Sequence, residues 1–207
     1  MYMNFPRRNI ITNIKVYDLT LIVPQKKCRY KNYIDSNSFL RTLFPCKPRG
    51  LWYSCYDSWY KFLQRENFSE RFYKYVQKVN FKRGVTISIN EKPNPLKVLL
   101  IKNNKDLVLF TERYGFIDKD YKKEFLKFDY DKYYKSLKHF ATRINWHQVS
   151  KHYAGIEICP LLLACLDDYF WYSLFDVASG CVWNLPAVVS SIKIAGIRKG
   201  KNSYVSV

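Results

Sequence analysis

The sequence predicts an α+β fold organised on a mostly antiparallel sheet, and three observations predict it. Short stretches such as Val85-Thr-Ile-Ser-Ile89 alternate apolar and polar residues, the period of a strand with one buried face. Other stretches, such as Asp106–Tyr114, place Leu107, Phe110 and Tyr114 three and four residues apart, the spacing of a helix with one apolar side. Finally, 48% of the 207 residues are hydrophobic and 18% aromatic, enough to fill the core of a single compact domain spanning residues 1–207.

Taken in order, residues 1–8 read as a basic arm, and Asn13–Val23 alternates (Ile14, Val16, Leu19, Leu21) as a first strand. Gln25–Asp35 is a basic loop, and Ser36–Phe44 a short capped helix. In the stretch Lys47–Trp59, Pro48 biases Lys47 towards extended backbone, and Gly50 permits a close approach. Leu51, Trp52 and Tyr53 then favour a strand. Ser54, Asp57 and Ser58 supply turn and cap chemistry, and Trp59, Phe62 and Leu63 recur at helical spacing. Polar groups between Arg49 and two Trp rings suit a polar ligand with aromatic faces, such as a nucleotide; a plain core strand with a Ser58 cap is the alternative.

Ser69 is placed to cap a helix that buries Phe72, Tyr75, Val76 and Val79 and leaves Arg71, Lys74, Lys78 and Lys82 outside, either as a phosphate contact or as a solvated face. The strands Val85–Ile89 and Lys97–Ile101 follow, joined through Pro93 and Pro95, then the Asp106–Tyr114 helix ended by Gly115. Residues 116–140 form a basic aromatic insertion. There Lys122, Lys123 and Lys127 alternate with Tyr121, Phe125 and Phe128, a pattern that binds phosphates and stacks on unpaired bases, or else packs its rings on the domain.

Asn145–His152 reads as a helix with Trp146, Val149 and Tyr153 inward. In the strand Ile156-Glu157-Ile158 the central side chain faces opposite its neighbours, so Glu157 is the carboxylate best placed to enter a cleft. Pro160–Leu166 is a short apolar helix, and Asp176, Ser179 and Gly180 turn the chain into Cys181-Val182-Trp183. Val188–Ile194 is the last strand, and Arg198–Lys201 a basic tail.

Thirty-five Lys and Arg against 17 Asp and Glu give +18, a charge that draws nucleic acid or an acidic protein partner. An A+T-rich coding sequence would also enrich Lys, Asn, Tyr and Ile together. No apolar run approaches the roughly 20 residues that span a bilayer, so no membrane association and an intracellular setting are expected. The six Cys lack any C-x-x-C pair and read as free thiols, and His147 and His152 lie five apart, off a common helix face, so no metal site is legible. P-loop, Rossmann, nucleophile-elbow and kinase patterns are missing, as is the His-carboxylate pair of a toxin-like nuclease.

The block Arg49-Gly-Leu-Trp-Tyr-Ser-Cys-Tyr-Asp-Ser-Trp-Tyr-Lys-Phe-Leu63 resembles the NAD-binding first segment of the ADP-ribosyltransferase superfamily, where a Leu-Trp-His-Gly-Ser/Thr strand precedes a turn and a helix. Ser179-Gly-Cys-Val-Trp-Asn-Leu-Pro-Ala-Val188, with Ile192-Lys-Ile194, is similar to that superfamily's catalytic and closing strands. These blocks, with Tyr153-x-Gly-Ile-x-Ile158 and Trp171-Tyr172, also look like an uncharacterised family of large DNA viruses and bacteriophages. The resemblance implies an ADP-ribosyltransferase-like split sheet. It implies NAD as cofactor, held by Arg49, Gly50, Trp52, Tyr53 and Ser54, with Tyr53 at the ribose-contacting His position and Ser54 where the Gly should be. The expected catalytic Glu falls near Gly180, so Glu157 or Asp176 takes its role or the fold is non-catalytic. The implied function is an NAD-binding transferase acting on nucleic acid or a nucleic-acid-associated target. The alternative is a non-catalytic basic nucleic-acid-binding or virion-associated protein of a large DNA virus or phage, found in the cytoplasm, viral factory or virion.

Overall fold

The computed structural model describes residues 10–12, 47–48, 50–55, 58, 62, 65, 75–118, 141–166, 168–200 and 203–206. Its strands are β1 (Ile10–Thr12), β2 (Leu51–Cys55), β3 (Tyr75–Phe81), β4 (Thr86–Ser88), β5 (Asn94–Ile101), β6 (Gly115–Ile117), β7 (Thr142–Ile144), β8 (Tyr153–Ile158), β9 (Ser179–Val182), β10 (Val189–Gly200) and β11 (Ser203–Ser206). Helices α1 (Asn104–Tyr114), α2 (Trp146–His152), α3 (Phe170–Ser173) and α4 (Leu185–Val188) lie between them. The architecture is α+β: a nine-stranded mixed, mostly antiparallel sheet in the order β11-β10-β3-β1-β2-β9-β8-β5-β4, and a two-stranded sheet of β6 and β7. Among the described strands, only β4–β5 and β5–β8 pair in parallel.

Several expectations are corrected. The stretch expected to continue a helix through Tyr75, Val76 and Val79 is strand β3. Tyr75, Gln77, Val79 and Phe81 also alternate, and Val79 is clamped between Ile10 of β1 and Ile192 of β10, so sheet pairing overrides the helical spacing. Lys78 therefore stands in a strand row between Ile11 and Lys193, and Lys82 donates to the Pro186 carbonyl at 2.6 Å; the expected basic helix face does not form there. Ser179 and Gly180 belong to β9 rather than to a turn, and the helix expected over Pro160–Leu166 contracts to a single 3-10 turn, Leu163–Cys165. Arg198 and Gly200, read as a tail, extend β10 and pair with β11. The first-strand expectation at Asn13–Val23, the helix expected over Ser36–Phe44 and residues 119–140 lie outside the described residues.

Alternation along the strands divides the interior into two layers. Leu99, Ile101, Ile156, Ile158 and Cys181 face a layer filled by Leu107, Phe110 and Tyr114 of α1, Trp146 and Val149 of α2 and Trp171 of α3. Phe110, Trp146 and Trp171 meet with ring centroids 5.6 to 6.1 Å apart, a spacing that adds aromatic edge contacts to plain area burial. On the other face Val98, Ala154, Val182 and Val188 pack with Tyr53. Helix α1 starts where Asn103 accepts from the Asp106 N–H at 3.0 Å. The ends of the stretch 119–140 lie close together, since Phe116 of β6 pairs with Arg143 and the Asp118 N–H bonds to the Ala141 carbonyl at 2.9 Å.

Candidate functional site

Strand β9 lies between β2 and β8 and runs antiparallel to both, so β2 and β8 run in the same direction. In register, Tyr53 lies opposite Gly180, and Gly180 lies opposite Glu157. A Cβ on Gly180 would sit 2.4 Å from both Cζ and the hydroxyl of Tyr53, so the ring lies directly over this glycine. The missing side chain lets Tyr53 reach across a whole strand and donate its hydroxyl to Glu157 Oε2 at 2.9 Å. Two residues further on, at the end of β2 and just past the end of β8, come Cys55 and Cys159. The two sulfurs and a Glu157 oxygen all lie within 4.8 Å of one another.

The backbone fixes this cluster. The Cys55 N–H bonds to the Ala178 carbonyl at 2.8 Å and the Cys159 N–H to the Ile101 carbonyl at 3.2 Å. Ser58, expected as a helix cap, donates its hydroxyl to the carbonyls of Cys55 (2.7 Å) and Ala178 (3.0 Å), tying the ends of β2 and β9 together.

Tyr53 and Cys55 are buried, while Glu157 and Cys159 are half-buried, so the cluster has an inner and an outer side. Burial raises the Glu157 pKa above its ordinary range, and the Tyr53 hydroxyl partly opposes that by stabilising the carboxylate. Burial also pushes the Tyr53 phenol up, reinforced by the Glu157 charge, so Tyr53 stays a donor. The Cys55 thiol donates to the Cys159 sulfur; this raises the Cys55 pKa, with burial adding to it, and lowers that of Cys159 against its own burial.

The remaining predicted site residues separate. Trp52 faces the opposite layer, where its ring meets Phe175 at 5.2 Å and its Nε1 donates to the Pro48 carbonyl at 3.1 Å. Lys47 stands 5.4 Å above that ring and pairs with Asp176 at 3.6 Å, so the exposed Asp176 already has a half-buried lysine partner. Ser54 is fully buried. A Cβ on Gly50 would lie 2.4 Å from the Val182 carbonyl, so close strand packing requires glycine there. Arg49, Lys74, Lys122, Lys123 and Lys127 lie outside the described residues.

No protein-family model, curated protein or solved structure matches this chain. No helix among the described residues is long and apolar enough to cross a membrane.

The site thus joins two residues singled out in the sequence, Tyr53 and Glu157, with two that were not, Cys55 and Cys159. The signal for the cysteines was the repeated pattern of Tyr53 or Glu157 followed two positions later by Cys, just past two expected strands. Chemically, the cluster offers a carboxylate oriented by a phenol, and a donor set of two sulfurs and one oxygen.

Proposed function

We propose that the chain is an NAD-binding transferase of the ADP-ribosyltransferase kind, with Glu157 as its catalytic carboxylate and a nucleic acid or a nucleic-acid-associated protein as acceptor. The observation that carries this reading is the Tyr53–Glu157 hydrogen bond across Gly180. It joins the residue at the ribose-contacting position of the first motif to the carboxylate of a separate strand 104 residues later. In this reading the catalytic carboxylate is displaced by one strand, from the Gly180 position to its direct neighbour in the sheet, and the sheet's two halves meet at β9.

The donor set fits such a ligand. A carboxylate accepts more than one hydrogen bond, and Tyr53 engages Oε2, so Oε1 is the oxygen for a ribose hydroxyl. NAD, when bound, supplies an ADP-ribosyl group whose bond to nicotinamide is already activated. Glu157 then holds negative charge beside the positive charge that builds as that bond stretches, in a half-buried setting where such an interaction is stronger than in water. Tyr53 fixes the carboxylate's orientation before any ligand arrives, so little reorganisation accompanies the reaction.

The test is nicotinamide release from NAD with nucleic acid present. Glu157→Gln keeps the size of the side chain and removes its charge, so NAD-induced thermal stabilisation should persist while release falls about 100-fold or more. Asp176→Asn should leave release unchanged. Wild-type protein that is neither stabilised by NAD nor releases nicotinamide would refute the transferase. The net charge of +18 favours a second reading, a non-catalytic nucleic-acid-binding protein, which that result would leave in place.

A further inference from the structure

We propose that Cys55, Glu157 and Cys159 form a binding site for one thiophilic divalent cation, of which zinc is the representative, with three protein ligands and one position open to water or a ligand.

The site stands on geometry. The donor atoms, Cys55 Sγ, Cys159 Sγ and a Glu157 carboxylate oxygen, lie within 4.8 Å of one another. Around tetrahedral zinc, with Zn–S near 2.3 Å, sulfur ligands stand about 3.8 Å apart. The cluster therefore closes on a cation by a shift of about 1 Å or less in side chains whose backbones are already held in the sheet. Two sulfurs select zinc-like cations over magnesium or calcium, which take oxygen ligands.

The surroundings complete the argument. Tyr53 donates to Glu157 Oε2, the kind of outer hydrogen bond that orients a metal-bound carboxylate. Cys55 lies inside, while Glu157 and Cys159 are half-buried, so the open position faces outward, as in zinc sites that bind a further ligand. Binding releases the two thiol protons to solvent, leaving two thiolates and a carboxylate around the cation with a net charge of −1.

The site shares Glu157 with the proposed transferase, but its test contains neither NAD nor nucleic acid, so either reading can fail without the other. The full chain, reduced and stripped with a chelator, is titrated anaerobically with Co(II). One equivalent should produce a thiolate-to-cobalt charge-transfer absorption that Zn(II) then bleaches. Cys159→Ser should abolish that absorption, and Cys165→Ser, a buried cysteine outside the cluster, should leave it unchanged. Tyr53→Phe should weaken zinc affinity about 10- to 100-fold while keeping the absorption. Cys159 is half-buried, so its serine variant is expected to fold, and a circular-dichroism melt confirms it. Two results would each overturn the site: folded wild-type protein with no such absorption, or an absorption that survives Cys159→Ser.

Discussion

Gly180→Ala tests the arrangement on which the site depends. The added methyl would lie 2.4 Å from Tyr53 Cζ and its hydroxyl oxygen, and 2.8 Å from the Ile156 carbonyl. Ordinary contacts at such atoms are about 3.5 to 4 Å, so the overlap with the ring is roughly 1 Å or more. Tyr53 has little room to yield. It is 0% exposed, and its ring meets Phe81 at 5.1 Å on the same layer. Overpacking of this kind costs about 1 to 3 kcal/mol, and with backbone on one side and a buried ring on the other the upper end is expected. For a chain of this size that is a fall in Tm of about 6 to 12 °C. The assay is reversible thermal unfolding by circular dichroism, run as a double-mutant cycle with Tyr53→Ala. The single Tyr53→Ala change should cost about 3 to 5 kcal/mol. The double variant should cost less than the sum by about 1 to 3 kcal/mol, because the methyl then enters the space the ring vacates. A Gly180→Ala protein as stable as wild type, or strict additivity in the cycle, would refute the crossing of Tyr53 over β9.

Three further expectations follow from particular groups. Burial raises the Glu157 pKa, so the folded state holds that proton more tightly than the unfolded chain. Stability of the metal-free protein should therefore fall as pH rises from the ordinary value of 4.5 through the raised folded value; Glu157→Gln should remove this fall, and Tyr53→Phe should carry it to higher pH, as read by melting across acidic to neutral buffers. Asn103→Ala removes the acceptor for the Asp106 N–H at the start of α1 and should cost about 1 kcal/mol, a Tm drop of about 2 to 4 °C. Affinity for single-stranded nucleic acid should fall steeply with added salt, and replacing Lys122, Lys123 and Lys127 by Glu should weaken it further and flatten the salt slope; binding that ignores both would sink the polyanion reading.

What was legible in the sequence was what local periodicity decides. Leu107, Phe110 and Tyr114 of α1, Trp146 and Val149 of α2, and the alternation of β4 and β8 each show one period without competition, and all fold as read. Strand β3 was misread because Tyr75, Val76 and Val79 fit a helix stripe as well as a strand row. The choice was made by partners more than 60 residues before and 100 after it, which no local window contains. The candidate site divides in the same way. Glu157 was legible because its strand is short and apolar on both sides. Its pairing with Tyr53 was not, since it depends on which strand inserts between β2 and β8 and on that strand carrying Gly at the crossing point. Cys55 and Cys159 escaped for that reason too: their proximity is a property of sheet order, and cysteine spacing along the chain carries no trace of it.

The position of β9 also governs how the chain can fold. Its four residues, Ser179–Val182, hold together two halves of the sheet, with β11, β10, β3, β1 and β2 on one side and β8, β5 and β4 on the other. During synthesis from the N-terminus, β2 waits about 125 residues for the partner on its β9 edge, and β3 waits about 110 for β10. Two strand edges therefore stay open while those intervening residues are made, the condition under which a nascent chain is most open to mispairing and to chaperone capture. Pairing over such sequence distances also makes folding slow, and neither the phenol-to-carboxylate bond nor the sulfur pair exists until it is complete. Whatever chemistry the cluster performs is thereby withheld from the growing chain and appears only once β9 has paired with β2 and β8.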